Sequence, residues 1–210
     1  MLFRSLAGGT NALTVTGNLD LDGAATGLST LDVSGTSNLG ADVTTSSTQT
    51  YTGAVTLSGG DRTLTGSTVN FVSTLAGGTN ALTVTGNLDL DDAATGLSTL
   101  DVSGTSNLGA NVTTSSTQTY TGAVTLSGGD RTLTGSTVNF VSTLAGGTNA
   151  LTVTGNLDLD DAATGLTTLD VSGTSNLGAD VTTSSTQTYT GAVTLSGGDR
   201  PLTGSTVNFV

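Results

Sequence analysis

This chain copies itself. The stretch TQTYTGAVTLSGGDRTLTGSTVNF at residues 48–71 returns at 117–140, and again at 186–209 with one change, Pro201 in place of Thr132. Matching Leu6, Leu75 and Leu144 gives a period of 69 residues, with repeats at approximately 4–72, 73–141 and 142–210. A repeat of this kind decides the fold before any local pattern does. It also bears on function, because an active site is needed once whereas a shaft is built by repeating one course. Differences between copies are few: Gly23 against Asp92 and Asp161, Asn111 against Asp42 and Asp180, and Thr167 against Ser98. None falls on a Leu or Val.

The 69-residue unit is too long for one coil and divides further. LTVTGNLDL from Leu13, LDVSGTSNL from Leu31, QTYTGAVTL from Gln49 and STVNFVSTL from Ser67 align at steps of 18 residues, followed by a step of 15 into the next unit. Val15, Val33, Tyr51 and Val69 hold the third position. The ninth is always leucine: Leu21, Leu39, Leu57, Leu75, Leu90, Leu108, Leu126, Leu144, Leu159, Leu177 and Leu195. Around these residues apolar and polar side chains alternate, as in Thr14-Val15-Thr16 and Asp20-Leu21-Asp22, which is the two-residue period of a strand. Turn-prone pieces such as GAATG, SGGDR and LAGGTN separate the strands.

The pattern predicts an all-β chain, one continuous parallel β-solenoid over 1–210 with about 18 residues per coil and four coils per repeat. The Leu column is its expected structural core. Interior hydroxyls such as Ser37 and Ser73 are expected to pair with the coils above and below. Burying a Leu or Val contributes about 1.5–3 kcal/mol, while ordering backbone costs about 1–2 kcal/mol per residue. A single coil therefore cannot stand alone, and stability must come from stacking.

Composition agrees. Thr is the commonest residue, Gly numbers 31, and Glu, Lys, His, Cys and Trp are absent, so the chain lacks the charged helix formers and is rich in β-formers. A hydrophobic share of 34% suits a thin, long core better than a round one. The net charge of −12, without a basic patch, argues against nucleic acid as a partner. No apolar run approaches the roughly 18 residues of a spanning helix, so membrane insertion is not expected. The opening MLFRSLAGGTNALTV is a poor signal peptide, so any export signal is expected to lie outside this chain.

TSSTQTYTGAVTLSGGDRTLTGSTVNF followed by ALTVTGNLDL resembles the long repeats of giant secreted bacterial adhesins related to filamentous haemagglutinin. The resemblance covers the whole chain. It implies a right-handed parallel β-helix, a surface stalk and an extracellular or cell-surface location in a bacterium. Steps of six residues within a coil (Val15, Leu21, Gly27) also suit a left-handed triangular helix, so both hands stay open.

Three features invite a chemical reading. Asp89, Asp91 and Asp92 form an acidic cluster of the oxygen-rich kind that suits calcium, which takes six to eight oxygen ligands; the plainer reading is solubility. No Glu closes the cluster, and its spacing matches no calcium-binding loop. Asp61–Arg62, repeated as Asp130–Arg131 and Asp199–Arg200, reads as an ion pair on a turn rather than as a catalytic pair, because neither His nor Lys is present as a base. Thr14 and Thr16, Thr50 and Thr52, and Thr119 and Thr121 offer outward Thr-x-Thr ranks of the kind that order water in ice-binding proteins, or that could hold a surface glycan.

The expectation is thus a structural segment of a bacterial surface fibre, with no catalysis and no cofactor. Either the chain is a fragment of a longer solenoid or copies associate head to tail into a filament, because STVNFV at 205–210 breaks off mid-coil while Phe3, Arg4, Ser5 and Leu6 stand where Val72, Ser73, Thr74 and Leu75 stand inside the chain. In that arrangement the Leu column is expected to run across the seam. The alternative is an ice- or carbohydrate-binding module using the Thr face.

Overall fold

The computed structural model describes residues 5–210, so Phe3 and Arg4 of the expected seam lie outside the described residues. The described chain is a parallel β-solenoid, and no helix occurs among those residues. Each turn has three faces. The first turn lays down β1 (Leu6–Ala7), β2 (Leu13–Val15) and β3 (Leu19–Leu21), one to a face. The second stacks β4 (Ala25–Leu28), β5 (Leu31–Val33) and β6 (Ser37–Leu39) on them, and the third adds β7 (Val43–Thr45), β8 (Thr48–Tyr51) and β9 (Val55–Leu57). Strands this short suffice because each is hydrogen-bonded to a neighbouring turn, and those of the second and third turns to one on either side.

The fourth turn is built differently. One long strand, β10 (Arg62–Phe71), crosses two faces, with a register shift between Thr65 and Thr68 where it passes the corner. The third face receives β11 (Leu75–Ala76), and β12 (Leu82–Leu90) then crosses two faces in its turn. Four of the 29 strands are of this long kind, which makes 33 face positions and, at three to a turn, eleven turns. At about 4.8 Å per turn the rod is on the order of 50 Å long.

Each 69-residue repeat therefore supplies eleven face positions, or three turns and two-thirds of a fourth, rather than the four coils expected. The SGGDR turn lengthens the fourth turn, putting Leu64 twenty-one residues beyond Val43, and the corner within β10 takes one residue back: Tyr51 lies under Phe71, twenty residues on, and Phe71 under Leu90, nineteen on, where earlier steps are eighteen. The consequence reaches the whole molecule. Each repeat begins one face away from the last, so Tyr51 stands on the second face, Tyr120 on the first and Tyr189 on the third.

The core is arranged in ladders that climb one face at a time. On the second face the inward order is Val15, Val33, Tyr51, Phe71, Leu90, Leu108, Leu126. On the first it is Val84, Val102, Tyr120, Phe140, Leu159, Leu177, Leu195. The expected unbroken Leu column is thus three columns of three, one per face. Leu75 and Leu144 stand over Val55 and Val124, because the longer turn has displaced them from Leu57 and Leu126. All the aligned leucines are buried except Leu195, which is 54% exposed in the last turn.

Glycine sets the corners where β10 and β12 pass. A Cβ on Gly86, which has φ of +132°, would lie 1.8 Å from the Gly66 carbonyl oxygen, so only glycine fits. In the LAGGTN turn, Gly78 and Thr79 both have positive φ and Asn80 N–H donates to the Gly77 carbonyl at 2.9 Å, the arrangement of a type I′ turn. A β-branched residue is strained there, and the Thr79 N–H is held by the Gly96 carbonyl of the next turn at 2.7 Å.

Candidate functional site

The three acidic residues singled out above do not converge. Asp89 lies within β12, and its Oδ1 accepts a hydrogen bond from Asn107 of the next turn at 2.8 Å. Asp91 and Asp92 lie past the strand end and are exposed, and the Asp92 carboxylate accepts the Ala93 N–H at 2.7 Å. Partial burial, and the Asp89 charge after it, push the Asp91 carboxyl above its ordinary range. No group of three or more metal-ligating side chains occurs among the described residues.

Asp89 instead belongs to an outward ladder. On the second face it reads Thr14, Asp32, Thr50, Asn70, Asp89, Asn107, Thr125, and on the first Thr83, Asp101, Thr119, Asn139, Asp158, Asn176, Thr194. Asp158 accepts from Asn176, and Asp20 from Asn38, both at 2.8 Å. Alternation with amides spares these carboxylates from facing one another. It also interrupts the Thr ranks of these strands, so that unbroken Thr is confined to short runs of turns such as Thr44, Thr65 and Thr85 on the first face and Thr113, Thr134 and Thr154 on the third.

The Asp–Arg turns make no internal ion pair. Asp61 reaches upward to accept the Ala81 N–H, and Asp130 the Ala150 N–H, each at 2.8 Å. Arg62 curls back so that its Nε donates to the Gly60 carbonyl at 3.1 Å, and its charge lies 3.8 Å from Asp42, not beside Asp61. Asn111 stands where Asp42 does, and Arg131 is satisfied by the carbonyls of Leu108, Ser127 and Asp130. Burial lowers the Arg131 pKa, with Asp130 opposing. The Asp-to-Asn change at 111 is tolerated because the shared oxygen does the structural work: Asp42 accepts the Thr63 N–H and Asn111 the Thr132 N–H, both at 2.9 Å.

Sequence reasoning missed a buried polar network. Gln49, fully buried, donates through Nε2 to the Thr65 carbonyl at 2.8 Å and the Val43 carbonyl at 3.3 Å, and its Oε1 accepts the Tyr51 hydroxyl at 3.0 Å. Gln118–Tyr120 and Gln187–Tyr189 repeat it. The signal was present: Gln49 occupies the alignment position held by Leu13 and Leu31. The expectation for Ser37 fails in the opposite sense, since its Oγ is buried without a partner, as are those of Ser106 and Ser175. Leu19 and Val55 flank Ser37 in the stack and offer nothing to bond. Ser73 is half-buried and forms no side-chain bond between turns.

One surface is concave and apolar. At the C-terminal end of the rod a cavity of about 460 Å³ is lined by Ala192, Val193, Leu195, Leu202, Phe209 and Val210. Phe209 is 62% exposed although it stacks on Tyr189 as Phe71 stacks on Tyr51, with ring centroids 5.6 and 5.5 Å apart. No protein-family model, curated protein or solved structure matches the chain.

Proposed function

We propose that this protein is a structural segment, a stiff shaft of the kind used in a bacterial surface fibre or adhesin stalk, that stacks end to end. The observation that carries this reading is the one-face advance per repeat. It distributes every feature in turn over three faces, so no face is specialised as a binding platform. The polar groups that invited a chemical reading are spent on joining turns: Asp61 to Ala81, Asp89 to Asn107, Gln49 to Thr65. Location at the outside of a cell belongs to the same proposal, through the resemblance of the repeats to those of secreted adhesins. The Thr-x-Thr reading is weakened by Asp and Asn in the outward ladders.

Electron microscopy of negatively stained protein tests this. Straight rods about 50 Å long, or longer multiples of that length, support a shaft, and compact or flexible particles refute it. Thermal hysteresis, or saturable binding to an immobilised glycan, would instead place the function on the Thr face.

A further inference from the structure

We infer that the C-terminal end of the rod is the docking surface for the N-terminal end of a second copy of this 210-residue chain, in one determinate register. This deepens the shaft reading and rests on it. Two core ladders are complete within the chain, and the third is divided between its ends. On the third face the upper turns carry Val153, Val171, Tyr189 and Phe209, and there the ladder stops. The same face begins, at the other end, with Leu21, Leu39 and Leu57. Joined, they give the Val-Val-Tyr-Phe-Leu-Leu-Leu order of the other two. The outward ladder is cut at the same place, with Thr152, Asp170, Thr188 and Asn208 at one end and Asp20, Asn38 and Thr56 at the other.

The internal seam between β10 and β12 shows what each residue would meet. Leu90 covers Phe71, Asp89 faces Asn70, Leu88 faces Val69 and Val84 faces Leu64. Across the junction the counterparts are Leu21 on Phe209, Asp20 on Asn208, Leu19 on Val207 and Val15 on Leu202. Leu75 over Val55 becomes Leu6 over Val193. Leu195 meets Gly8, so the Leu column does not cross the seam; a Phe-to-Leu step does.

Four further observations fit. Asp61 and Asp130 each accept an N–H from the turn above, and Asp199, among the described residues, has no such partner until Ala12 of a second copy supplies one. Gly17, the counterpart of Gly86, has nothing within 4 Å of its notional Cβ, leaving room for the Gly204 carbonyl. Pro201 leaves the docking edge intact: at the equivalent Thr63 and Thr132 the N–H points back to Asp42 and Asn111 of the turn beneath. At both internal seams the joining corner carries a partly exposed valine, Val72 or Val141, so chain termini meeting there have a route to solvent.

Cysteine pairing tests the register, since the chain has no cysteine of its own. Facing residues of adjacent parallel strands lie about 4.8 Å apart, inside the range of about 4.4–6.8 Å that a disulfide bridges. On oxidation Asp20→Cys/Asn208→Cys should give a ladder of dimers, trimers and longer species on a non-reducing gel. Thr14→Cys/Asn208→Cys, with the thiols on different faces, should give at least tenfold less. Asn70→Cys/Asp89→Cys should close within one chain. Phe209→Asp should leave the fold intact and weaken assembly at least tenfold by sedimentation. If the internal pair fails to close, the solenoid register is wrong and the shaft reading falls with it. If it closes while Asp20→Cys/Asn208→Cys stays monomeric at rising concentration, the docking inference alone is overturned. Equal crosslinking of the two seam pairs would overturn the register.

Discussion

At the residue scale, the core holds two kinds of polar group with opposite consequences. Ser106 Oγ is buried between Leu88 and Val124 of the neighbouring turns without a partner. An orphaned hydroxyl costs about 1–3 kcal/mol, so Ser106→Ala is expected to stabilise the protein by about 1 kcal/mol in urea unfolding; a loss of stability would mean that the hydroxyl is bonded. Gln118 is the contrary case. Replacing it by Leu strips partners from the Tyr120 hydroxyl and the Thr134 carbonyl, and should cost about 2–3 kcal/mol by the same measurement. Thr79 offers a gain of another origin: Asn tolerates its left-handed backbone better, so Thr79→Asn should raise stability by about 0.5–1 kcal/mol. The exposed acids are expected to do nothing of this kind. With Asp89 bonded to Asn107 and Asp92 to the adjacent Ala93 N–H, EDTA should leave the melting temperature unchanged, and a marked fall would identify a cation site at this corner.

At the scale of the element, a strand of three residues has no stability apart from its neighbours, so the penalty for damaging it depends on how many turns flank it. Leu108 has Leu90 beneath and Leu126 above and is fully buried. Leu108→Ala should cost about 2–5 kcal/mol, whereas the same change at half-buried Leu6 in the first turn should cost much less. Equal losses in matched denaturation curves would contradict a stacked array. The sequence made much of this legible. Alternation around Val15 and Leu21 announced the strands, and equal spacing from Leu13 to Gln49 announced the first turns. It misled at the fourth turn, where STVNFVSTL placed Val69 over Tyr51 while the structure puts Phe71 there. Both residues point inward, so alternation cannot distinguish them. What decides is the length that the SGGDR turn absorbs, less the one residue that the corner at Gly66–Ser67 takes back, and backbone length in a turn leaves no trace in an apolar pattern. The ion-pair reading of Asp61–Arg62 failed for a related reason: the partner of each is set by the turn stacked above or folded below, not by its neighbour in the chain.

For the whole molecule, the advance of one face per repeat closes only after three repeats, when eleven turns are complete. A 210-residue chain therefore carries one buried tyrosine ladder on each of its three faces, and these can report jointly on the integrity of the rod. Burial pushes the Tyr51, Tyr120 and Tyr189 phenols well above the ordinary value of about 10. A phenol whose pKa is raised on folding keeps its proton in the native state after the unfolded chain has lost its own. Stability from this source is then complete below about pH 10 and falls as pH rises toward the folded values. The three tyrosines should consequently stay un-ionised while the rod is intact and ionise together as it unfolds. An alkaline titration followed at once by tyrosinate absorbance and by far-ultraviolet circular dichroism should show both signals changing in a single step above pH 10. Tyr189, one turn below the open end, is the internal check. Its phenol is sealed in the core like the other two and should ionise in the same step; a separate, earlier rise in absorbance would mean that the last turn opens before the rest of the rod. Tyrosinate appearing near pH 10 for all three, with the β-signal undisturbed, would mean that these rings are not sealed in the core.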